Sequence, residues 1–150
     1  CIPPDYDSPK EIKVKLHTMQ SVLFTEQSRL KIYLYGYNKW GADAPATLLR
    51  SFTEKISNMP SQFEFKFPKE DYKKIKYIPV ECPSEAGYYL VIYIDINGDN
   101  KLCDGDFNQD YDIQEPHFFY CVNLANMLEF KTPLRTQNNA MCRDLSPEYK

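Results

Sequence analysis

No apolar run in the sequence is long enough to cross a bilayer. The longest, Tyr88 to Ile94, falls far short of the roughly 20 residues a spanning helix needs. Histidine occurs only at His17 and His117, neither with a Cys or His at ligand spacing, so both read as ordinary strand residues. There is no Cys-x-x-Cys pair to suggest zinc or redox chemistry, no Gly-x-Ser-x-Gly elbow, no glycine-rich phosphate loop and no cysteine set beside a plausible base. A net charge of −3 lacks the basic excess of a nucleic-acid binder, so none is expected as a partner. Eleven prolines against five glycines argue against long helices. These absences point away from an enzyme and towards a binding or assembly module.

What is present is aromatic and strand-forming. Twelve Tyr and nine Phe in 150 residues suit pleated, half-buried surfaces, and the length is that of one domain. Period-two alternation predicts strands over Glu11–His17, Ser28–Tyr37 and Gln62–Phe67. Tyr88–Ile94 is apolar on both faces and reads as a central strand covered on both sides. Ala46–Ile56 reads as a strand, although adjacent Leu48 and Leu49 would also suit a helix, and Lys69–Tyr77 as a helical turn. Pro116–Leu124 is a further strand with Phe118, Tyr120 and Val122 on one face, and residues 131–150 read as polar and irregular. The expectation is an all-β, antiparallel β-sandwich of six to eight short strands over residues 11–150 with an irregular C-terminal tail. Its core combines Phe63, Phe65 and Phe67 with the apolar faces of the other strands. Residues 1–10, CIPPDYDSPK, form an extended tether reaching at most about 30 Å.

Five cysteines set the compartment. With Cys1 apart, Cys82, Cys103, Cys121 and Cys142 allow three pairings; Cys103–Cys121 with Cys82–Cys142 is favoured because the first closes an acidic loop onto the next strand. Disulfides place the chain in the periplasm or outside the cell. Cys1 is the residue type and position at which bacterial lipoproteins are acylated, so a lipid on Cys1 is expected to hold the domain at a membrane.

Charge is unevenly spread. Asp95 to Glu115 carries −6 against +3 for the rest of the chain. Counted from Asp95, side-chain oxygens fall at positions 1, 3, 5 and 12 (Asp95, Asn97, Asp99 and Asp106), with the Lys101 carbonyl at position 7; this is the ligand spacing of an EF-hand calcium loop. Asn100 replaces the usual glycine and Asp106 the usual glutamate, and a strand precedes the loop instead of a helix. Ca²⁺ is the expected ion; the other reading is a solvated Asn-Gly hairpin. A basic run, Lys66, Lys69, Lys73, Lys74 and Lys76, reads as a solvated turn or as a contact for an acidic partner or lipid headgroups.

The order Leu30–Tyr37, then Ala42-Asp43-Ala44-Pro45-Ala46, then Phe63–Phe67 closed by Pro68, then Tyr88–Ile94, resembles the YbaY/YscW lipoprotein family over roughly residues 11–94. That family includes pilotins, small outer-membrane lipoproteins that help secretins of type III secretion systems to localise and assemble. The resemblance implies a β-sandwich, an acylated N-terminal cysteine, a periplasmic, outer-membrane-anchored location, a secretin subunit as partner and no catalysis. The acidic loop, the internal cysteines and the tail have no counterpart in it. They support a second expectation, a secreted or cell-surface domain whose binding depends on calcium.

Overall fold

The structure is a computed structural model that describes residues 9–41, 45–78, 82–120, 127–137 and 142–145. The tether's first eight residues, Cys1 and Cys121 lie outside these. Ten strands follow one another: β1 Glu11–His17, β2 Arg29–Asn38, β3 Thr47–Lys55, β4 Ser61–Lys66, β5 Ala86–Asp95, β6 Lys101–Leu102, β7 Phe107–Gln109, β8 His117–Tyr120, β9 Met127–Thr136 and β10 Arg143–Asp144. The helical content among the described residues is two short 3₁₀ turns, Lys69–Lys74 and Pro83–Glu85. The all-β, disulfide-bonded class expected from the alternation is what the chain adopts.

Eight strands form one sheet in the order β3-β2-β5-β7-β9-β1-β4, with β8 paired to β5 beside β7. The sheet curls into a half-barrel whose wings pack face to face. Strand directions are mixed: β1 and β9 run parallel, from Glu11↔Met127 to His17↔Pro133, while the other described pairs are antiparallel. The two outermost strands meet through side chains, Phe52 of β3 lying 4.5 Å from Phe65 and 5.5 Å from Phe63 of β4 between ring centroids.

Ile12, Val14 and Leu16 of β1 share one core with Leu30, Ile32 and Leu34 of β2, Phe65 and Phe67, and Leu90, Ile92 and Ile94 of β5. This is the set that alternation placed together; Phe63 packs at its edge, half-buried. The ambiguous Leu48–Leu49 pair has a local cause. The β2–β3 register shifts between Leu34 and Tyr35, so a bulge adds one residue to β3, and Leu49 turns into the core while Leu48 pairs with Tyr35.

Three expectations are corrected. Residues 131–136 are not irregular, because they complete β9, which joins the two wings. Pro133 sits where β9 passes from pairing with β1 to pairing with β7; its carbonyl accepts the Asp110 N–H at 2.8 Å, at the end of the β7 ladder, where its own missing donor is tolerated. In β8 the buried face is His117 and Phe119, and Phe118 and Tyr120 point out. The predicted Cys103–Cys121 and Cys82–Cys142 pairing also fails: Cys103 bonds Cys142, with Cα atoms 4.4 Å apart, and Cys82 is disulfide-bonded to a residue outside the described ones. The reason is β10, which pairs with β6 and brings Cys142 over Cys103.

β5 runs the length of the barrel and sets its two poles. At one, Ala86 pairs with Asn38 of β2; at the other, Asp95 pairs with Arg29 and leads into the acidic loop.

Candidate functional site

The acidic loop is built by backbone turns that its own carboxylates hold. Asp95 Oδ1 accepts the Gly98 N–H at 3.1 Å and Oδ2 the Asn100 N–H at 2.7 Å; Asp106 Oδ1 accepts the Ile96 N–H at 2.8 Å and Oδ2 the Cys103 N–H at 2.8 Å. The chain curls tightly enough that Gly98 (φ 71°) and Asn100 (φ 61°) adopt left-handed backbone. Asn at the position where a calcium loop has glycine therefore serves, since Asn tolerates that region better than most residues.

Asp95, Asp99 and Asp106 converge, with carboxylate oxygens within 4.8 Å of one another. Asp95 is 1% and Asp106 3% exposed, while Asp99 faces solvent. Among the described residues no Lys or Arg forms an ion pair with any of them. Burial holds the carboxyls of Asp95 and Asp106 above the usual carboxylate range; backbone donors offset this in part, and the neighbouring acids add to it. The donors are all oxygen, each with a lone pair still open, and so suit a hard cation such as Ca²⁺. The other two residues of the spacing, Asn97 and Lys101, lie nearby in the same loop. Asn97 is exposed, its Oδ1 accepting the Asp99 N–H at 3.3 Å. Lys101 gives its N–H to Asp99 Oδ1 at 3.0 Å and faces Asp144 across the β6–β10 ladder.

A second surface was not foreseen. The outer face of β3-β2-β5-β8 carries an apolar row set by register, Leu48↔Tyr35↔Tyr89↔Phe118. Tyr35 and Tyr89 stack with ring centroids 5.1 Å apart, Phe118 lies 5.4 Å from Tyr89, and Tyr37 lies 6.2 Å from Phe118 and bonds Tyr120 through its hydroxyl at 3.4 Å. Gly87 makes this packing possible, since a Cβ there would come within 2.6 Å of the Tyr37 ring. Burial, with the Tyr120 hydroxyl beside it, raises the Tyr37 phenol well above its ordinary value, so the face carries no phenolate charge. Above this row the C-terminal strand crosses the same face: Arg143 Nη2 donates to the Tyr93 hydroxyl at 2.8 Å, and the Tyr33 hydroxyl donates to the Leu145 carbonyl. The Cys103–Cys142 bond thus tacks a cover over Tyr33 and Tyr93, and among the described residues nothing lies over Phe118, which is 52% exposed. β5 is central, as expected, but its outer face is only partly covered. The available signal was tyrosine instead of charge at the outward positions of β2 and β5.

The curled sheet is shared with a known protein. A structure of an alternative pilotin from the type II secretion system of Vibrio cholerae superposes with a TM-score of 0.54 at 16% identity, over 87% of this chain and 98% of that one. This chain has a pilotin-like fold. No protein-family profile matches the sequence, and no curated protein matches it. The likeness therefore bears out the fold that the YbaY/YscW resemblance implied, without extending to that family.

Proposed function

We propose that this chain is a pilotin-like, non-catalytic module of the bacterial envelope that binds a secretin subunit and assists its assembly in the outer membrane. The observation that carries the reading is the fold match, which spans nearly the whole of the Vibrio cholerae alternative pilotin. The docking surface is the row around Tyr89 and Phe118, over which no other described residue lies at Phe118, and it takes an apolar segment of the secretin. Aromatic side chains packed on a rigid sheet are the type of anchor that dominates protein interfaces. The acidic loop binds Ca²⁺ in this reading and stiffens the opposite pole. A periplasmic location and the lipid expected on Cys1 complete it; mass spectrometry of the native protein tests the lipid separately.

The test is calorimetric titration of the protein with peptides tiling the cognate secretin. One of them is expected to bind, and Phe118→Ser with Tyr89→Ser to weaken it roughly thirtyfold, the effect of losing a hot spot of about 2 kcal/mol. A wild type that binds none, together with normal secretin localisation in a deletion strain, overturns the reading. The Asp95/Asp99/Asp106 cluster favours one variation, a secreted or surface domain whose binding depends on calcium. Its mark would be partner binding that a chelator abolishes.

A further inference from the structure

We infer that the pole opposite the acidic loop rests on an anionic lipid surface through Trp40, Tyr77 and the lysines around them. Trp40 is 74% and Tyr77 75% exposed. Both are nevertheless fixed at the backbone by a single side chain: Asn38 Oδ1 accepts the Trp40 N–H at 2.9 Å, and Asn38 Nδ2 donates to the Tyr77 carbonyl at 3.0 Å. Tyr77 is held in left-handed backbone, φ 66°, a costly conformation for a bulky residue that persists only where its surroundings enforce it. Exposed rings with an apolar body and a polar edge, on backbone pinned in place, suit the headgroup layer of a bilayer.

The charge around them has the matching sign. Lys39 Nζ lies 5.2 Å from the centroid of the Trp40 ring, and the 3₁₀ turn beside Tyr77 supplies Lys69, Lys73 and Lys74, with Lys76 following. The acids of this turn are engaged. Asp71 is buried and bridged to Arg50 at 2.6 Å and Lys74 at 3.4 Å, and Glu70 pairs with Lys73 at 2.8 Å. Among the described residues, the four lysines of this turn and its exit outnumber its two acids, and Glu85 close to Lys39 and Glu11 at the start of β1 are the further acids at this end. The acidic loop does not cancel this field. It lies at the far end of ten-residue β5, about 30 Å away at 3.3 Å per residue and several Debye lengths at physiological salt. An anionic surface therefore attracts one pole and repels the other, which orients the domain. β1 also starts at this pole, where the Lys10 carbonyl accepts the Phe67 N–H at 3.0 Å.

Trp40 is the sole tryptophan, so its emission reports on this pole alone. The full chain, without acyl groups, is mixed with phosphatidylcholine vesicles or with vesicles also containing phosphatidylglycerol. The expected result is a blue shift and co-sedimentation with the anionic vesicles only, both lost at high salt. Lys39→Gln and Lys73→Gln should each lower the partition about fivefold. Trp40→Ala should lower sedimentation without shifting the melting temperature, and Phe118→Ser should leave it unchanged. Unchanged emission with no sedimentation at low salt overturns the inference, as does equal binding to neutral vesicles. So does an acidic protein that shields Trp40 where vesicles do not. The vesicle result and secretin-peptide binding are read on separate variants, so either can fail without the other.

Discussion

Asp106 closes the loop that Asp95 opens. The N–H of Ile96, next to Asp95 in the chain, donates to Asp106, while Asp95 takes the N–H groups of the turn between them. Two nearly buried carboxylates therefore act as struts, each taking two backbone N–H groups, while the exposed Asp99 takes only one, from Lys101. This division of labour separates ligand from scaffold by mutation.

Calcium added to chelator-treated protein is expected to raise the melting temperature, with half-effect at about 10⁻⁴–10⁻³ M, the range of extracellular calcium modules. Asp99→Ala should abolish the response and change stability in chelator by no more than about 0.5 kcal/mol. Asp95→Ala should destabilise even in chelator, by about 1–3 kcal/mol for each N–H left without its acceptor. A melting temperature indifferent to both calcium and chelator would reduce the loop to a solvated hairpin.

Phe65→Ala is expected to cost about 3–5 kcal/mol, and Phe63→Ala distinctly less, because Phe63 sits half-exposed at the edge of the core. Urea unfolding of the two variants checks the order. Equal losses would mean that the β3–β4 seam is packed differently.

His117 is buried against Phe130, with its Nε2 2.9 Å from Thr132 Oγ1, and burial pushes its pKa down from 6.5 to about 4. The unfolded chain then binds more protons than the folded one between these values. Stability from this group is full above about pH 6.5 and is lost as pH falls towards 4, at up to about 1.4 kcal/mol per pH unit. Thermal unfolding across that window should show the slope in the wild type and a shallower one in His117→Gln. Parallel curves would place the histidine in contact with solvent.

Peptide mapping without reductant is expected to recover Cys103 linked to Cys142, and a peptide joining Cys103 to Cys121 would contradict the structure. The bond closes a separation of 39 residues, for which the chain-entropy account gives about 4 kcal/mol. Cys142→Ser should also make Tyr93 more accessible, since Arg143 then loses its tether.

Alternation revealed β1, β2 and β4 because each buries one face against a common core, which leaves a period-two trace in the sequence, whereas β5 was legible as a run apolar on both faces. β9 hid behind Pro133 and the polar outward residues Glu129, Lys131 and Arg135, although Leu128, Phe130, Thr132 and Leu134 alternate on its inner side. The loop's carboxylates could be read because their spacing is local. The aromatic row could not, since it is assembled by register across four strands, and tyrosine counts equally as a strand former inside or out. Cysteine pairing depends on where a two-residue strand docks, and nothing local encodes that.

β9 also governs when the barrel can exist. Without it, the sheet order splits into β3-β2-β5-β7 on one side and β1-β4 on the other. The strand that bridges these halves comes near the end of the chain, so the first strand waits through more than a hundred residues of synthesis for its parallel neighbour. Folding of the sheet thereby waits for synthesis of β9, and contacts this distant in sequence make it slow. In pulsed hydrogen exchange, amide protection in β1 beyond its β4 ladder should arise together with that in β9. Until then the inner faces of both halves are open to water, and the nascent protein depends on being kept apart from its own kind.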